Sequence, residues 1–166
     1  MMVRKASIED VIRIAEIHVT GWRFAYRQII SDEFLFKDML VPKRIDAFTR
    51  AMEERKDDIY VFEENHIVKA FMIIGPCRDT DKPSSFELWG LYVDPFMVRQ
   101  GIGSRLMQYC EQRALESGYN EVVLWVLEDN AIGRRFYEKM GYAYDGTRKY
   151  LDKFGVYEIR YQKLLR

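Results

Sequence analysis

Residues 91–106 read Leu91-Tyr-Val-Asp-Pro-Phe-Met-Val-Arg-Gln-Gly-Ile-Gly-Ser-Arg-Leu106, and this stretch decides which fold we predict. A strand ends at Val93, Pro95 interrupts its hydrogen-bond ladder, and Gly101 and Gly103 flank the start of a helix. Glycine lets the backbone approach a ligand closely, and the first turn of a helix presents unpaired N–H groups with a partial positive charge. The stretch therefore predicts a loop that binds phosphate or pyrophosphate.

Two other phosphate-binding motifs do not fit this stretch. The dinucleotide fingerprint requires a third glycine at the position of Leu106. The Walker loop requires a Gly-Lys-Ser/Thr triplet, which the sequence lacks. Gly-x-Gly alone is a weak signal, so an ordinary strand-to-helix turn with glycines for packing is the alternative at this point.

The composition of the chain narrows the class of protein. Its 166 residues are 48% apolar, which is sufficient for one folded domain over residues 1–166. Lys plus Arg (26) balance Asp plus Glu (26), so the basic excess of a nucleic-acid-binding protein is missing. The longest apolar run, Val122 to Leu127, is far shorter than the roughly 18 residues that a membrane span needs.

We predict the cellular compartment and the absence of a metal site from the N-terminus, the cysteines and the histidines. Residues 1–5 are not followed by the apolar stretch of a signal peptide. Cys77 and Cys110 form no CxxC pair, and His18 and His66 are too few to suggest a metal site. We therefore expect a cytoplasmic protein with reduced thiols, no metal and no membrane or nucleic-acid partner.

The spacing of apolar residues predicts a mixed α/β protein. Predicted helices cover Ile8 to Gly21, Trp22 to Ile30, Pro42 to about Arg55, Gly101 to Ser117 and Asn130 to Met140. Predicted strands cover Ile59 to Glu63, Ile67 to Gly75, Phe86 to Val93, Val122 to Leu127, Tyr142 to Lys149 and Val156 to Leu164. Residues 77–85 are polar, and we expect a mobile surface loop there.

A second motif resolves most of the ambiguity left by the first. Asn130-Ala-Ile-Gly-Arg-Arg-Phe-Tyr-Glu-Lys-Met-Gly-Tyr142 follows the apolar strand that ends at Leu127. With Gly101-Ile102-Gly103, this segment resembles the GNAT superfamily of acetyl-coenzyme A-dependent N-acetyltransferases. The run from His18 to Ile30 is also similar to the acceptor-side helices of many bacterial members, so the resemblance spans nearly the whole chain.

The resemblance implies a fold, an activity and a set of binding residues. The fold is a mixed, mostly antiparallel sheet with a parallel pair at its centre and helices on both faces, and the activity is acetyl transfer from acetyl-CoA to a primary amine. The implied coenzyme-binding residues are Tyr92, Val93, Val98, Arg99, Gln100, Gly101, Ile102, Gly103, Ser104, Asn130 and Tyr137. The acceptor, a small molecule or a peptide amine, is not identified, and a homodimer is implied by the resemblance only.

Two positions depart from the family pattern. Val98 stands where the phosphate loop usually has Arg or Gln, which removes a side-chain contact worth about 1–3 kcal/mol if charged. Because the family binds pyrophosphate mainly through backbone N–H groups, Val98 can still donate its own. Gly133 stands where the family often has alanine, and it is expected to weaken the helix mildly.

Two residues are catalytic candidates, Tyr137 from the resemblance and Glu87 from its place on the strand before the phosphate loop. Tyr137 occupies the position of the residue that protonates the coenzyme thiolate; as an alternative, it is a plain core residue. Glu87, on the strand before the phosphate loop, is the candidate base that receives the proton of the amine. A solvated carboxylate on the strand face is the alternative for Glu87.

Three more residues, Asn130, Trp22 and Tyr26, each have a functional and a structural interpretation. Asn130 is expected to bind the pantetheine arm, to cap the helix that follows it, or both. Trp22 and Tyr26 lie four residues apart on one helix face and are candidates for the acceptor pocket, with Glu87 as a third acceptor-binding residue; core packing is the alternative for the two aromatics. For the whole protein, the alternative to an enzyme is an acyl-CoA-binding sensor that acetylates nothing.

Overall fold

The computed structural model describes residues 1–54 and 58–166. The chain forms two compact units, residues 1–73 with 90–106 and residues 74–89 with 107–166. The single domain expected for residues 1–166 stays a prediction. Within the described ranges, no helix has both the length and the apolar character that crossing a membrane requires.

Among the described residues, seven strands form a mixed sheet. The strands are β1 (Met2–Lys5), β2 (Asp58–Glu64), β3 (Ile67–Pro76), β4 (Phe86–Val93), β5 (Glu121–Leu127), β6 (Ala143–Leu151) and β7 (Val156–Leu164), in the order β1-β2-β3-β4-β5-β7-β6. β4 and β5 are parallel, whereas β1 with β2, β5 with β7 and β7 with β6 are antiparallel. This confirms the predicted mixed, mostly antiparallel sheet with its parallel pair.

In the described part of the chain, four α-helices accompany the sheet: α1 (Val11–Tyr26), α2 (Val41–Glu53), α3 (Ile102–Glu116) and α4 (Ala131–Lys139). Short 3-10 turns cover Ile8–Asp10 and Pro95–Met97, and one π-helical turn covers Phe34–Asp38. The predicted apolar stripe of α3 is buried at every position, namely Ile102, Leu106, Cys110 and Ala114. Helical periodicity thus located α3 correctly because its buried face is continuous.

In the first unit, the prediction that one helix ends at Gly21 and another begins at Trp22 is wrong. α1 runs through this glycine without interruption, and Gly21 is buried. A Cβ atom at Gly21 would lie 3.3 Å from Cδ1 of Tyr92. The glycine therefore serves close packing inside a helix, and its cost of about 1 kcal/mol in helix propensity is offset by that contact.

Two further differences concern the N-terminal region. Met2–Lys5 forms β1, which pairs with β2 and which the sequence did not predict because only four residues carry the pattern. α2 ends at Glu53, and the predicted end near Arg55 lies outside the described residues. The core of this unit is formed by α1, α2, β2 and β3 around Phe71.

In the second unit, the polar loop of residues 77–85 is held by ion pairs. Arg160 of β7 is buried, and its guanidinium binds Asp79 at 3.0 Å, Asp81 at 2.7 Å and Asp145 at 2.6 Å. The Lys82 ammonium donates to Glu121 at 2.9 Å. These contacts contradict the expected mobility of the loop, because the buried guanidinium of Arg160 restrains Asp79 and Asp81 through charge-assisted hydrogen bonds.

Candidate active site

The segment between β4 and α3 in the first unit is a tight loop. Asp94 accepts a hydrogen bond from the backbone N–H of Phe96 at 2.9 Å and so begins the 3-10 turn. Further along, Arg99 has φ +64° and Gly101 has φ +74°, both in the left-handed region. α3 begins immediately afterwards at Ile102. Successive residues of alternating handedness turn backbone N–H groups to one side, which is the geometry of an anion-binding loop.

The backbone around Gly101 is suited to a close ligand. A Cβ atom at Gly101 would meet no heavy atom within 4 Å, so the glycine is required by its positive φ rather than by crowding. The first N–H groups of α3 have no partner within the helix, and the helix dipole adds a partial positive charge at this end. A phosphate or pyrophosphate fits this donor set.

The side chains of the loop point mostly to solvent. Val98 is 39% exposed, and Arg99, Gln100 and Gly101 are exposed as well. Ile102, by contrast, is buried, so that only its backbone is available to a ligand. Gly103 and Ser104 are half-buried in the first turn of α3. Side chains of residues 98–104 thus range from exposed to buried, and their binding to the coenzyme stays a prediction.

Tyr92 and Val93 lie at the end of β4, just before this loop. The Tyr92 side chain is turned to α1, where its hydroxyl accepts a hydrogen bond from Nε1 of Trp22 at 3.1 Å. Burial raises the pKa of the Tyr92 phenol, so it stays protonated at neutral pH. The phenol is thus a structural group, and only the backbone of Tyr92 and Val93 is left for the predicted contact with a thioester.

Aromatic side chains cluster at the C-terminal part of α1. The ring of Trp22 lies 5.1 Å from that of Tyr26 and 5.9 Å from that of Phe34. His18, one turn earlier, has its ring 4.7 Å from Tyr92. Trp22 and Tyr26 are half-buried, so they pack and also present surface. Their predicted role in the acceptor pocket stays a prediction.

His18 is held neutral by its surroundings. Burial and, to a smaller extent, the charge of Arg44 lower its pKa to about 3. Its Nδ1 atom and Nε of Arg44 have no hydrogen-bond partner among the described residues. Since an imidazole with so low a pKa does not gain a proton near neutral pH, His18 acts here as an aromatic residue.

In the second unit, Glu87 is buried in β4 with only 1% of its surface exposed. Its Oε2 accepts hydrogen bonds from the backbone N–H of Arg78 at 2.9 Å and from Nε of the same residue at 3.2 Å. Its Oε1 accepts from Nη2 of Arg78 at 2.6 Å. The alternative of a solvated carboxylate is therefore wrong: Glu87 is a buried anion whose two oxygens are bound by one arginine.

Asn130 caps α4, which confirms the structural role predicted for it. Its Oδ1 accepts a hydrogen bond from the backbone N–H of Gly133 at 3.0 Å. A Cβ atom at Gly133 would lie only 2.6 Å from Nδ2 of Asn130. The departure from the family pattern at Gly133 thus leaves room for the capping amide in this position.

Tyr137 lies in the last part of α4 and is half-buried. Its ring is 5.2 Å from the ring of Phe136 and 6.3 Å from that of Tyr142. Three residues after the end of the helix, the backbone N–H of Tyr142 donates to the carbonyl of Tyr137 at 3.0 Å. The position of the tyrosine is therefore fixed by both its ring contacts and its backbone.

The predicted residues divide between the two units. The first contains Trp22, Tyr26, Tyr92, Val93 and residues 98–104, and the second contains Glu87, Asn130 and Tyr137.

In the part of the chain that is described, no three His, Cys, Asp or Glu side chains come together in a way that could hold a metal ion. Sequence reasoning missed Arg78, whose only signal was a basic residue in a polar loop next to the strand of Glu87.

A mixed sheet with a parallel pair is thus followed by a left-handed loop at the start of α3. The model of the acetyltransferase (GNAT) family matches residues 17–142, and the chain belongs to this family. The membership confirms both the family resemblance and the predicted enzyme class.

Curated relatives carry the same enzyme name. The uncharacterized N-acetyltransferase YuaI of Bacillus subtilis is 27% identical over 98% of this chain and 89% of its own length. The spermidine N(1)-acetyltransferase of Thermoplasma acidophilum is 23% identical over 87% of this chain and 89% of its own length.

Solved structures share the fold. The PaiA N-acetyltransferase of Thermoplasma acidophilum, in complex with coenzyme A, superposes with a TM-score of 0.76 at 22% identity and covers 98% of both chains. The acetyltransferase YncA of Salmonella typhimurium, with acetyl-CoA, has a TM-score of 0.73 at 22% identity, and the match covers 100% of this chain and 94% of that one. At such identities, the likeness concerns the fold.

Proposed function

We propose that this protein transfers the acetyl group of acetyl-CoA to a primary amine by direct attack of the amine on the thioester. The observation that carries the proposal is the loop at Arg99 and Gly101, whose left-handed backbone precedes the N-terminus of α3. Family membership, and the coenzyme A found in solved structures of the same fold, support the same activity.

In this proposal, backbone N–H groups of residues 98–104 bind the pyrophosphate of the coenzyme. The exposed guanidinium of Arg99 adds positive charge to the loop. Val98 lacks the polar side chain usual for the family, but its N–H group is unaffected by that difference. A backbone N–H of Val93 or Tyr92 donates to the thioester oxygen, on which negative charge develops during the attack.

Tyr137 is proposed as the group that assists the departing thiolate. An ordinary phenol has a pKa of about 10 against about 8.5 for a thiol, so complete proton transfer is uphill by roughly 2 kcal/mol. A hydrogen bond that strengthens as the sulfur leaves avoids this cost. The Tyr137 hydroxyl therefore contributes mainly in the transition state.

Glu87 is proposed to act on the acceptor amine. Its ion pair with Arg78 limits the ways in which it can do so. Both oxygens of Glu87 already accept hydrogen bonds from Arg78, so the amine cannot give its proton directly to Glu87 while this ion pair is closed. The Arg78 side chain is 59% exposed and can turn to solvent, which frees an oxygen of Glu87. Otherwise, Glu87 orients the amine through Arg78 or through water.

The acceptor is proposed to contact Trp22 and Tyr26, whose half-buried rings offer an apolar, electron-rich surface. A relative is named as a spermidine acetyltransferase, and a polyamine is accordingly one class of acceptor for this chain. Amino acids, other small amines and peptide amines are the further classes. An ammonium over an aromatic face gains about 0.5–1 kcal/mol at an exposed site.

Release of free thiol from acetyl-CoA, measured across polyamines, amino acids, antibiotics and peptides, tests the proposal. We expect one class of amine to stimulate the release, and mass spectrometry to find that amine 42 Da heavier, as acetylation requires. A non-catalytic acyl-CoA sensor would bind acetyl-CoA in a calorimeter while no amine stimulated thiol release. Absence of both binding and release would contradict the proposal altogether.

A further inference from the structure

Asp94 marks the point at which β4 passes into the phosphate-binding loop, and it is 6% exposed. Its Oδ1 caps the turn that follows by accepting from the N–H of Phe96 at 2.9 Å. Its own backbone N–H donates to the carbonyl of Lys69 in β3 at 2.9 Å. The start of the loop is therefore fixed both to the sheet and to its own first turn.

The remaining oxygen of Asp94 is bound by Arg13 of α1. Nη2 of Arg13 donates to Oδ2 of Asp94, and Nε of the same guanidinium donates to the carbonyl of Val68 in β3 at 3.0 Å. A third donor, Nη1, reaches Glu16 at 3.2 Å. One side chain thus joins α1, β3 and the first residue of the loop.

This arrangement bears on binding because the loop must be formed before a ligand arrives. The left-handed backbone at Arg99 and Gly101 is a conformation that a free chain adopts only part of the time. One end of the loop is fixed by the buried Ile102 in α3. The other end is fixed at Asp94, and a loop held at both ends loses less entropy when its N–H groups bind an anion.

We propose that Arg13 is a positioning residue of the coenzyme-binding loop: by holding Asp94, it keeps residues 95–101 in the conformation that binds pyrophosphate. The inference rests on the proposed function, since it takes the loop to be the coenzyme site. Arg13 touches no coenzyme atom in this scheme and acts only through Asp94. Its loss should weaken coenzyme binding more than it weakens the fold.

The chain supplies a matched control in Arg4. Its guanidinium pairs with Asp10, and the side-chain exposures are 31% for Arg4 and 9% for Asp10. The pair of Arg13 and Asp94 has the same two values, 31% and 9%. Both arginines also bind a second carboxylate, Glu63 for Arg4 and Glu16 for Arg13. Arg4 joins β1 and β2 and makes no contact of this kind with the loop.

The test compares Arg13→Gln with Arg4→Gln in the full chain. Thermal unfolding measures the loss of stability, and calorimetric titration with coenzyme A measures affinity. We expect similar losses of stability but an increase in Kd of about tenfold or more for Arg13→Gln alone. Hydrogen exchange without ligand should be faster in residues 95–101 of Arg13→Gln than in the same residues of Arg4→Gln. Equal Kd values and equal exchange in the two variants would overturn the inference.

Two further variants separate the parts of the contact. Asp94→Asn retains an oxygen that can cap the turn but removes the charge that pairs with Arg13, and it should raise Kd like Arg13→Gln. Arg13→Lys retains the charge without the planar fork, so it should recover part of the affinity. If Arg13→Gln is poorly folded, Arg13→Lys and Asp94→Asn decide the question, and wild-type Kd in both overturns the inference. A wild-type protein that binds no coenzyme A would instead contradict the proposed function.

Discussion

The carboxylate of Glu87 and the guanidinium of Arg78 form an ion pair in which Glu87 is buried and Arg78 is largely exposed. The side chain of Glu87 is 2% exposed and that of Arg78 is 59% exposed. The guanidinium also lies 4.6 Å from the ring centre of Trp89. Solvent therefore reaches the guanidinium of this pair, whereas the carboxylate is shielded.

Replacing Arg78 by alanine should change the pH dependence of the reaction. The backbone N–H of residue 78 still binds Glu87, so the carboxylate keeps its place but loses its counter-charge. An alanine side chain makes neither of the two hydrogen bonds that the guanidinium donates to Glu87, so the profile of kcat/KM against pH should differ from that of the wild type. Glu87→Gln should alter the same profile if Glu87 handles the proton of the amine.

Arg148→Ala serves as the control for this experiment. Arg148 is also an exposed arginine over an aromatic ring, 3.3 Å from the ring centre of Tyr157, and it pairs with Glu128. Its variant should keep the wild-type pH profile. An unchanged profile in both Arg78→Ala and Glu87→Gln would mean that the proton of the amine leaves by another route.

Tyr137→Phe should lower kcat and leave the KM for acetyl-CoA nearly unchanged. The substitution removes one hydroxyl and almost no volume, and a general-acid contact is typically worth about 10²–10⁴-fold in rate. The limb of the rate profile at high pH should disappear or shift in the same variant. Tyr157→Phe, the equivalent change in β7, should have neither effect.

A thioester with a more acidic leaving thiol sharpens the test of Tyr137. It should rescue Tyr137→Phe selectively, because a better leaving group needs less help from a donor. Retention of more than about a third of wild-type kcat with a good acceptor would show that thiolate departure is not assisted here or is not rate-limiting.

Gly101→Ala should weaken coenzyme binding, with Gly118→Ala as its counterpart. Gly101 has φ +74° and Gly118 has φ +85°, and a Cβ atom at either would meet nothing within 4 Å. Each alanine is therefore expected to cost about 1–2 kcal/mol of stability through the left-handed backbone alone. Only Gly101→Ala should raise the Kd for coenzyme A, as measured by calorimetry. Equal affinities in the two variants would place the phosphate site elsewhere.

His18 should make the protein sensitive to acid. Its pKa is lowered to about 3 in the folded state against about 6.5 in the unfolded chain. The unfolded chain therefore binds more protons between these values, and stability contributed by neutral His18 is complete above about pH 6.5 and declines as pH falls toward 3, by at most about 1.4 kcal/mol per pH unit. His18→Phe should flatten the decline in denaturant unfolding measured from pH 7 to 4.

A slope that is the same in His18→Phe and the wild type would show that other groups cause the acid sensitivity.

The local patterns of the sequence predicted the elements that depend on neighbouring residues. The stripe from Ile102 to Ala114 located α3, and the apolar run from Val122 to Leu127 located β5, which pairs with β4 in parallel. Asn130 predicted a helix cap, and the structure has it. Gly21 misled the prediction, because a glycine that breaks a helix and one that lets Tyr92 pack closely look alike in sequence.

The tertiary structure alone decided which charged groups meet. Arg13 and Asp94 are 81 residues apart, as are Asp79 and Arg160. Hydrophobic periodicity specifies the face of an element, and it carries no information about which distant side chains share that face. The sequence by itself therefore determined the family, six of the seven described strands and the position of the loop at Gly101, whose signals are short and contiguous. The burial of Glu87 beneath Arg78, and the fixing of the loop by Arg13, required the folded chain, because both depend on pairs brought together only by packing.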